Sequence, residues 1–210
     1  MATQTRTRKR RSDGERSRSA ILRAAGQLAT VEGLEGLSIG RLAEASGMSK
    51  SGLFAHFGSK EELQLATVDH AAAMFVAEVI APAREAPRGL PRVWALCDHM
   101  IDYTERRVFP GGCFFAATSF EFNNRPGPVR DPIRDNLRSW HSYLEHAVEQ
   151  AQELGEIDPA PDAREVGFQL DALAQAANAQ FQLFGDARVF DAARRAIRER
   201  LESLRPKIAA

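Results

Sequence analysis

The stretch from Ser38 to Leu63 reads SIGRLAEASGMSKSGLFAHFGSKEEL, and its residue types can do one kind of chemistry, which is to present a short helix to nucleic acid. Ser38 and Ser49 are N-cap residues, whose hydroxyls accept bonds from the orphan N–H groups of a first helical turn. Gly47 lies between them and permits the left-handed backbone that ends a helix. Ile39, Leu42 and Ala43 form an apolar edge on the first of these helices, and Ala43 is small enough for a second to cross close by. Leu53 and Phe57, four apart, anchor that second helix, which leaves Lys50, Ser51, Phe54 and Ala55 outward. Met48 would tuck into the turn. The pattern is a helix-turn-helix, whose second helix lies in the major groove with its N-terminal residues against base edges. Ser59 and Glu62 form a capping box opening a third helix, with Lys60 and the exposed amides placed to hold a phosphate.

Other chemistry is hard to assemble. The chain has no Gly-x-Ser-x-Gly elbow, no His-Glu-x-x-His, no phosphate-binding glycine loop and no Cys-x-x-Cys. His99, His141 and His146 with Cys113 are the remaining ligand types, but His99 sits among Asp98, Asp102 and Arg106 on what reads as a solvated face. No metal, no cofactor and no enzymatic activity are expected.

From Ile21 to Leu63 the sequence resembles the TetR family of bacterial transcriptional repressors: IL-AA--L, Gly33, SI--LA, SGMSKSGLFAHF and SKEEL stand in register. The resemblance implies that Ser38, Lys50, Ser51, Gly52, Phe54, His56 and Lys60 face DNA, and Arg41 is placed with them. Ser46 stands where the family more often has alanine. Gly52 replaces a frequent hydroxyl residue, and Phe54 and Ala55 occupy positions that often carry an aromatic hydroxyl or a larger aromatic group on the DNA backbone. The resemblance further implies an all-α, nine-helix TetR-like architecture. A three-helix helix-turn-helix head would be joined to a helical domain that binds a ligand and dimerises.

Charge agrees with this once it is divided by position. The chain of 210 residues has a formal net charge of zero, yet residues 1–60 hold eleven Lys and Arg against five Asp and Glu. Arg6, Arg8, Lys9, Arg10, Arg11, Arg16 and Arg18 would attract phosphates in a salt-dependent way. Residues 1–14 read as a disordered basic arm, 15–60 as the DNA-binding domain and 61–210 as the ligand-binding and dimerisation domain. No apolar run follows the basic start, no stretch of about 18 apolar residues suggests a membrane span, and Cys97 and Cys113 are too few for a disulfide framework. A cytoplasmic protein is expected.

Beyond Leu63 apolar residues recur at three and four, and proline and glycine make the breaks. Asp131-Pro132 is expected to open the most periodic helix, with Ile133, Leu137, Trp140, Leu144 and Val148 on one face. Asp162 caps the next, which carries a second, small-residue face of Ala172, Ala176 and Ala179. A helix apolar on two sides needs two partners, so residues 162–204 are expected to form a homodimer, with Ala177 and Phe181 in its interface. The dimer would place two reading helices on a palindromic double-stranded operator. Met74, Met100, Tyr103, Cys113, Phe114, Thr118, Trp140, Tyr143, Asn178 and Phe181 are the expected lining of a cavity for a small apolar or amphipathic effector. An architectural DNA binder without an effector is the alternative, and it would have little use for so aromatic a C-terminal region.

Overall fold

A computed structural model of the chain describes the backbone of residues 2–206 and the side chains from Gly14 to Pro206. The basic arm expected over residues 1–14 therefore falls, Gly14 apart, outside the described side chains. The described residues form nine helices and no strands. The head comprises α1 (Ala2–Glu32), α2 (Ile39–Ser46) and α3 (Lys50–Phe54). The rest comprises α4 (Lys60–Ala83), α5 (Leu90–Glu105), α6 (Phe114–Phe122), α7 (Arg130–Glu153), α8 (Ala163–Phe184) and α9 (Arg188–Ser203).

Helix α4 links the two regions. It begins at the head and runs without a break past α1 into the larger domain, packing on α1, α5 and α7. Between Val76 and Ile80 it widens into a π turn, closed by the Ala81 N–H donating to the Val76 carbonyl. The widening precedes Pro82, whose ring cannot donate and crowds the carbonyl four residues back; a looser turn there absorbs the misfit. The sequence reading placed Pro82 outside the helix, whereas the helix carries it in its last turn.

The same helix has an apolar average composition that a reading for unbroken apolar stretches does not pick out. By length and composition alone, Lys60–Ala83 is apolar enough to cross a membrane. About half of its most apolar part is buried inside the fold. Alanine, valine and leucine here serve helix packing.

Helix α7 also starts earlier than Asp131-Pro132 suggests. Val129 occupies the cap, Arg130 N–H bonds the Gly127 carbonyl at 3.2 Å, and Pro132 lies in the first turn where its missing donor would have been an orphan in any case. Asp131 is free to pair with Arg134 at 2.7 Å instead of capping. Asp162 does cap α8, accepting from the Arg164 and Glu165 N–H groups.

Two further contacts help to hold the head on the larger domain. Gly111 presses on the carbonyl of Thr30 so closely that a Cβ could not be placed there. Glu121, at the end of α6, accepts from the backbone N–H groups of Leu34 and Glu35, each at 2.8 Å, and so clamps the loop between α1 and α2.

Candidate nucleic-acid interface and the cavity behind it

Each helix start in the head is built as its residues require. The Ser38 hydroxyl accepts from the Arg41 N–H at 3.2 Å and the Ser49 hydroxyl from the Gly52 N–H at 3.1 Å. Gly47 has φ 67°, the left-handed backbone that turns the chain between α2 and α3. Ser59 accepts from the Glu62 N–H at 3.0 Å, while the Glu62 carboxylate accepts from Gly58 N–H rather than from Ser59, so the box closes one residue early. Leu42, Leu53 and Phe57 are buried beneath, and the Arg18 guanidinium lies over the Phe57 ring at 5.2 Å.

On the outer face Lys50, Ser51 and Phe54 are exposed, while Ser38, Gly52 and His56 are half-buried. Phe54 keeps 57% of its surface in solvent, a large apolar side chain where a helix meets nothing of its own chain. The candidate cations differ. Arg41 is held between Glu32 and Glu44, which raise its affinity for its proton, and Lys60 bonds Glu35 at 2.8 Å. The Lys60 ammonium holds the Glu35 carboxyl below its ordinary value. Lys50 is the one of the three with no carboxylate partner among the described residues. It alone offers an uncommitted charge at the start of the reading helix.

Behind the head lies a cavity of about 730 Å³, mouth included, between α4, α5, α6, α7 and α8. Phe75, Phe115 and Trp140 form its aromatic walls; the Phe75 ring meets Trp140 edge-on at 5.2 Å and Phe115 at 6.4 Å. Trp140 is fixed by its indole N–H, which donates to Asp171 at 2.8 Å. Asn136 and Ser139 border the space from α7, and at one end Arg84 Nε donates to the Tyr143 hydroxyl at 3.0 Å. Gln175 reaches it from α8, and its Oε1 is buried with no hydrogen-bond partner.

Of the ten expected lining residues, Met100, Cys113, Trp140 and Tyr143 are brought together here. The other six sit elsewhere. Tyr103 and Phe114 are packed core, with Tyr103 edge-on to Phe75 at 5.7 Å and Phe114 beside Phe109 at 5.7 Å. Thr118 is spent on the Phe114 carbonyl, and Asn178 accepts from the Cys113 N–H at 3.1 Å. Phe181 lies against Phe190 at 4.8 Å, and Met74 packs on the core off the cavity. Missed in the sequence were Ala72, Phe75, Val76 and Ile80, although their spacing of three, one and four marks a single helix face from which Met74 is excluded. Burial pushes the Cys113 thiol up to about 11 and that of Cys97 higher, so neither is a thiolate at neutral pH.

The last outward feature is on α8. Phe168, Ala172, Ala176, Ala179 and Leu183 are all exposed at spacings of four, four, three and four. Ala177, by contrast, is buried in its own protomer, and Phe181 is half-buried.

Residues 21–67 match the model of bacterial regulatory proteins of the tetR family, and residues 89–197 match that of the tetracyclin repressor-like C-terminal domain, about half of the chain. The chain belongs to the TetR family. A TetR transcriptional regulator from Chloroflexus aurantiacus shares 24% identity with it over 94% of this chain and all of that one, at a TM-score of 0.84. A TetR family regulator from Cytophaga hutchinsonii shares 19% over 93% and 98%, at 0.78. AibR, solved with isovaleryl coenzyme A and operator DNA, shares 24% over 86% and 97%, at 0.70. No curated protein matches the chain significantly. This TetR family member is a DNA-binding transcription regulator and not an enzyme, and the family binds operator DNA as dimers and takes small-molecule effectors.

Proposed function

We propose that this regulator is a repressor which binds an inverted-repeat operator as a dimer and releases it when a small apolar or amphipathic molecule fills the cavity. One observation carries the reading. Helix α4 is capped by Ser59 in the head and, through Ala72, Phe75, Val76 and Ile80, is itself a wall of the cavity. A ligand that prefers a different position of that wall must move the head, by an amount set by its differential affinity for the two states. The AibR structure, with both a ligand and DNA bound, supports the pairing of these two sites in one fold.

Lys50, Ser51, Gly52 and Phe54 are the residues we assign to the groove, with Ser38, His56 and Lys60 toward the phosphates. Lys60 must part from Glu35 to reach one. The dimer is built on α8 and α9, with the exposed Phe168–Leu183 stripe of α8 against its copy; the three alanines allow close approach. The interface thus uses the small-residue face of Ala172, Ala176 and Ala179 that the sequence reading singled out, without Ala177 and Phe181, which that reading had also placed in it.

Selection of bound DNA from a random pool tests this. The expected product is an inverted repeat with half-site centres roughly 34–36 Å apart, one helical turn. Ala176→Arg, which buries an unpaired charge in the interface only, should give a folded monomer with weakened operator binding. Recovery of a single unrepeated motif bound by a monomeric wild type overturns the reading.

A further inference from the structure

The charge lining the cavity has one sign. Arg84 is its single cationic side chain, and no carboxylate faces the space. The Arg84 guanidinium is paired with no Asp or Glu among the described residues; it is steered instead by a neutral partner, donating to the Tyr143 hydroxyl at 3.0 Å with its carbon 5.5 Å from the centre of the Tyr143 ring. Only Nε is used in that bond. Arg84 is exposed, so its remaining N–H donors form a fork on the solvent side of the lining, while Phe75 is half-buried and Phe115 and Trp140 are buried. Held by an aromatic hydroxyl, the guanidinium has no carboxylate beside it to compete with an incoming anion. An Arg so placed matches the two oxygens of an acid group.

We propose that the cavity selects an amphipathic organic anion, which enters apolar end first and leaves its carboxylate, sulfonate or phosphate on Arg84. The inference rests on the reading of the cavity as an effector site and adds the charge of the effector. A neutral apolar molecule fills the same walls but leaves the fork facing water, so it gains nothing from Arg84. A cationic one meets the like charge of Arg84 at the entrance.

Two probes sharing one aromatic body decide it: 1-anilinonaphthalene-8-sulfonate, and N-phenyl-1-naphthylamine, which lacks only the sulfonate. Both are titrated into the full chain carrying Trp94→Phe, so that the remaining tryptophan, Trp140, reports occupancy of the cavity by quenching. A charge-assisted bond at a partly exposed position should favour the sulfonate by about tenfold in Kd. Arg84→Gln should remove the preference while leaving binding of the neutral probe unchanged, and Arg88→Gln, an exposed cation that does not line the cavity, should leave the preference intact. Equal affinities in the wild type, or a preference that survives Arg84→Gln, overturn the proposal, while quenching of Trp140 by both probes would keep the effector site itself. Failure of both probes to quench Trp140 overturns both.

Discussion

The reading head and the domain behind it are made of the same helices and the same kinds of side chain, yet they place their functional residues by different means. In the head, Ser38, Ser49 and Ser59 start helices by accepting from the N–H three residues on, and Gly47 stops one through its own left-handed backbone. In the larger domain the cavity is assembled from five helices that are distant in sequence. What separates a wall residue from a core residue there is often a single position: Phe115 faces the cavity, while Phe114 beside it is fully buried. Local hydrogen-bond chemistry sets the first region and tertiary packing sets the second.

The harshest way to break this contrast is to remove the head's central side chain. Phe57 is 1% exposed, and Phe57→Ala should cost about 3–5 kcal/mol through lost burial and the cavity left behind. Operator binding should vanish in a fluorescence anisotropy titration, while 1-anilinonaphthalene-8-sulfonate still quenches Trp140. Loss of both would show that the two regions share one stability and that the division drawn above is only one of position.

That contrast also explains how much of the molecule was legible in its sequence. The three serine caps, the left-handed Gly47 and the buried pair Leu53 and Phe57 were readable because the hydrogen-bonding and steric rules involved span one helical turn. Nine helices were readable for the same reason. The ends of α4 and α7 were not, because Pro82 and Pro132 are tolerated inside a last and a first turn, respectively. Four cavity residues out of ten were found, those on α5, α7 and the start of α6; choosing between Tyr103 and Phe75, or Asn178 and Gln175, needed the contacts of α8 with α5 and α7. Glu121 gave no local signal at all, since its partners at Leu34 and Glu35 lie far away in the chain.

The same capping chemistry placed in both regions sharpens the comparison. Ser49 caps a helix of 5 residues and Asp162 one of 22. Loss of either cap should cost about 1 kcal/mol. For Ser49→Ala the cost falls on a helix with little else to hold it, so operator affinity should drop by about fivefold, with the thermal midpoint unchanged. For Asp162→Ala the midpoint should fall by a few degrees and operator affinity should stay. Identical patterns for the two variants would contradict the separation of roles.

Glu121 tests whether the regions communicate through α6 as well as α4. Its carboxylate takes two backbone donors of the head, and Glu121→Gln keeps the shape but removes the charge and one acceptor. Because the contact is partly exposed, the loss should be about 1 kcal/mol or less. The expected result is nearly normal operator affinity in the absence of ligand, with a smaller change in that affinity when the cavity is filled. An unaltered response would leave α4 as the sole route.

The smallest effect comes from two histidines that respond to acid in opposite senses. His70 lies half-buried on α4, its Nε2 enclosed without a hydrogen-bond partner, and burial followed by the positive fields of Arg23 and Arg18 lowers its pKa from an ordinary value of 6.5. The fold thus favours neutral His70, and its contribution to stability is present above about pH 6.5 and lost as pH falls toward the folded value. His141, on α7, is raised instead, chiefly by its bond to Asp171, whose other oxygen accepts from the Trp140 indole. Its contribution is present below about pH 6.5 and lost as pH rises through the folded value. His141 is more than half exposed, so solvent screening keeps its share small. Thermal midpoints measured at about pH 5.5 and 7.5 separate them. His70→Gln should raise stability at the acid end relative to wild type, whereas His141→Gln should lower it there and change little at pH 7.5. Since His141 shares Asp171 with the cavity wall and His70, on α4, feels Arg18 and Arg23 of the head, equal and parallel shifts from the two substitutions would show that acid acts on the molecule as a whole and not region by region.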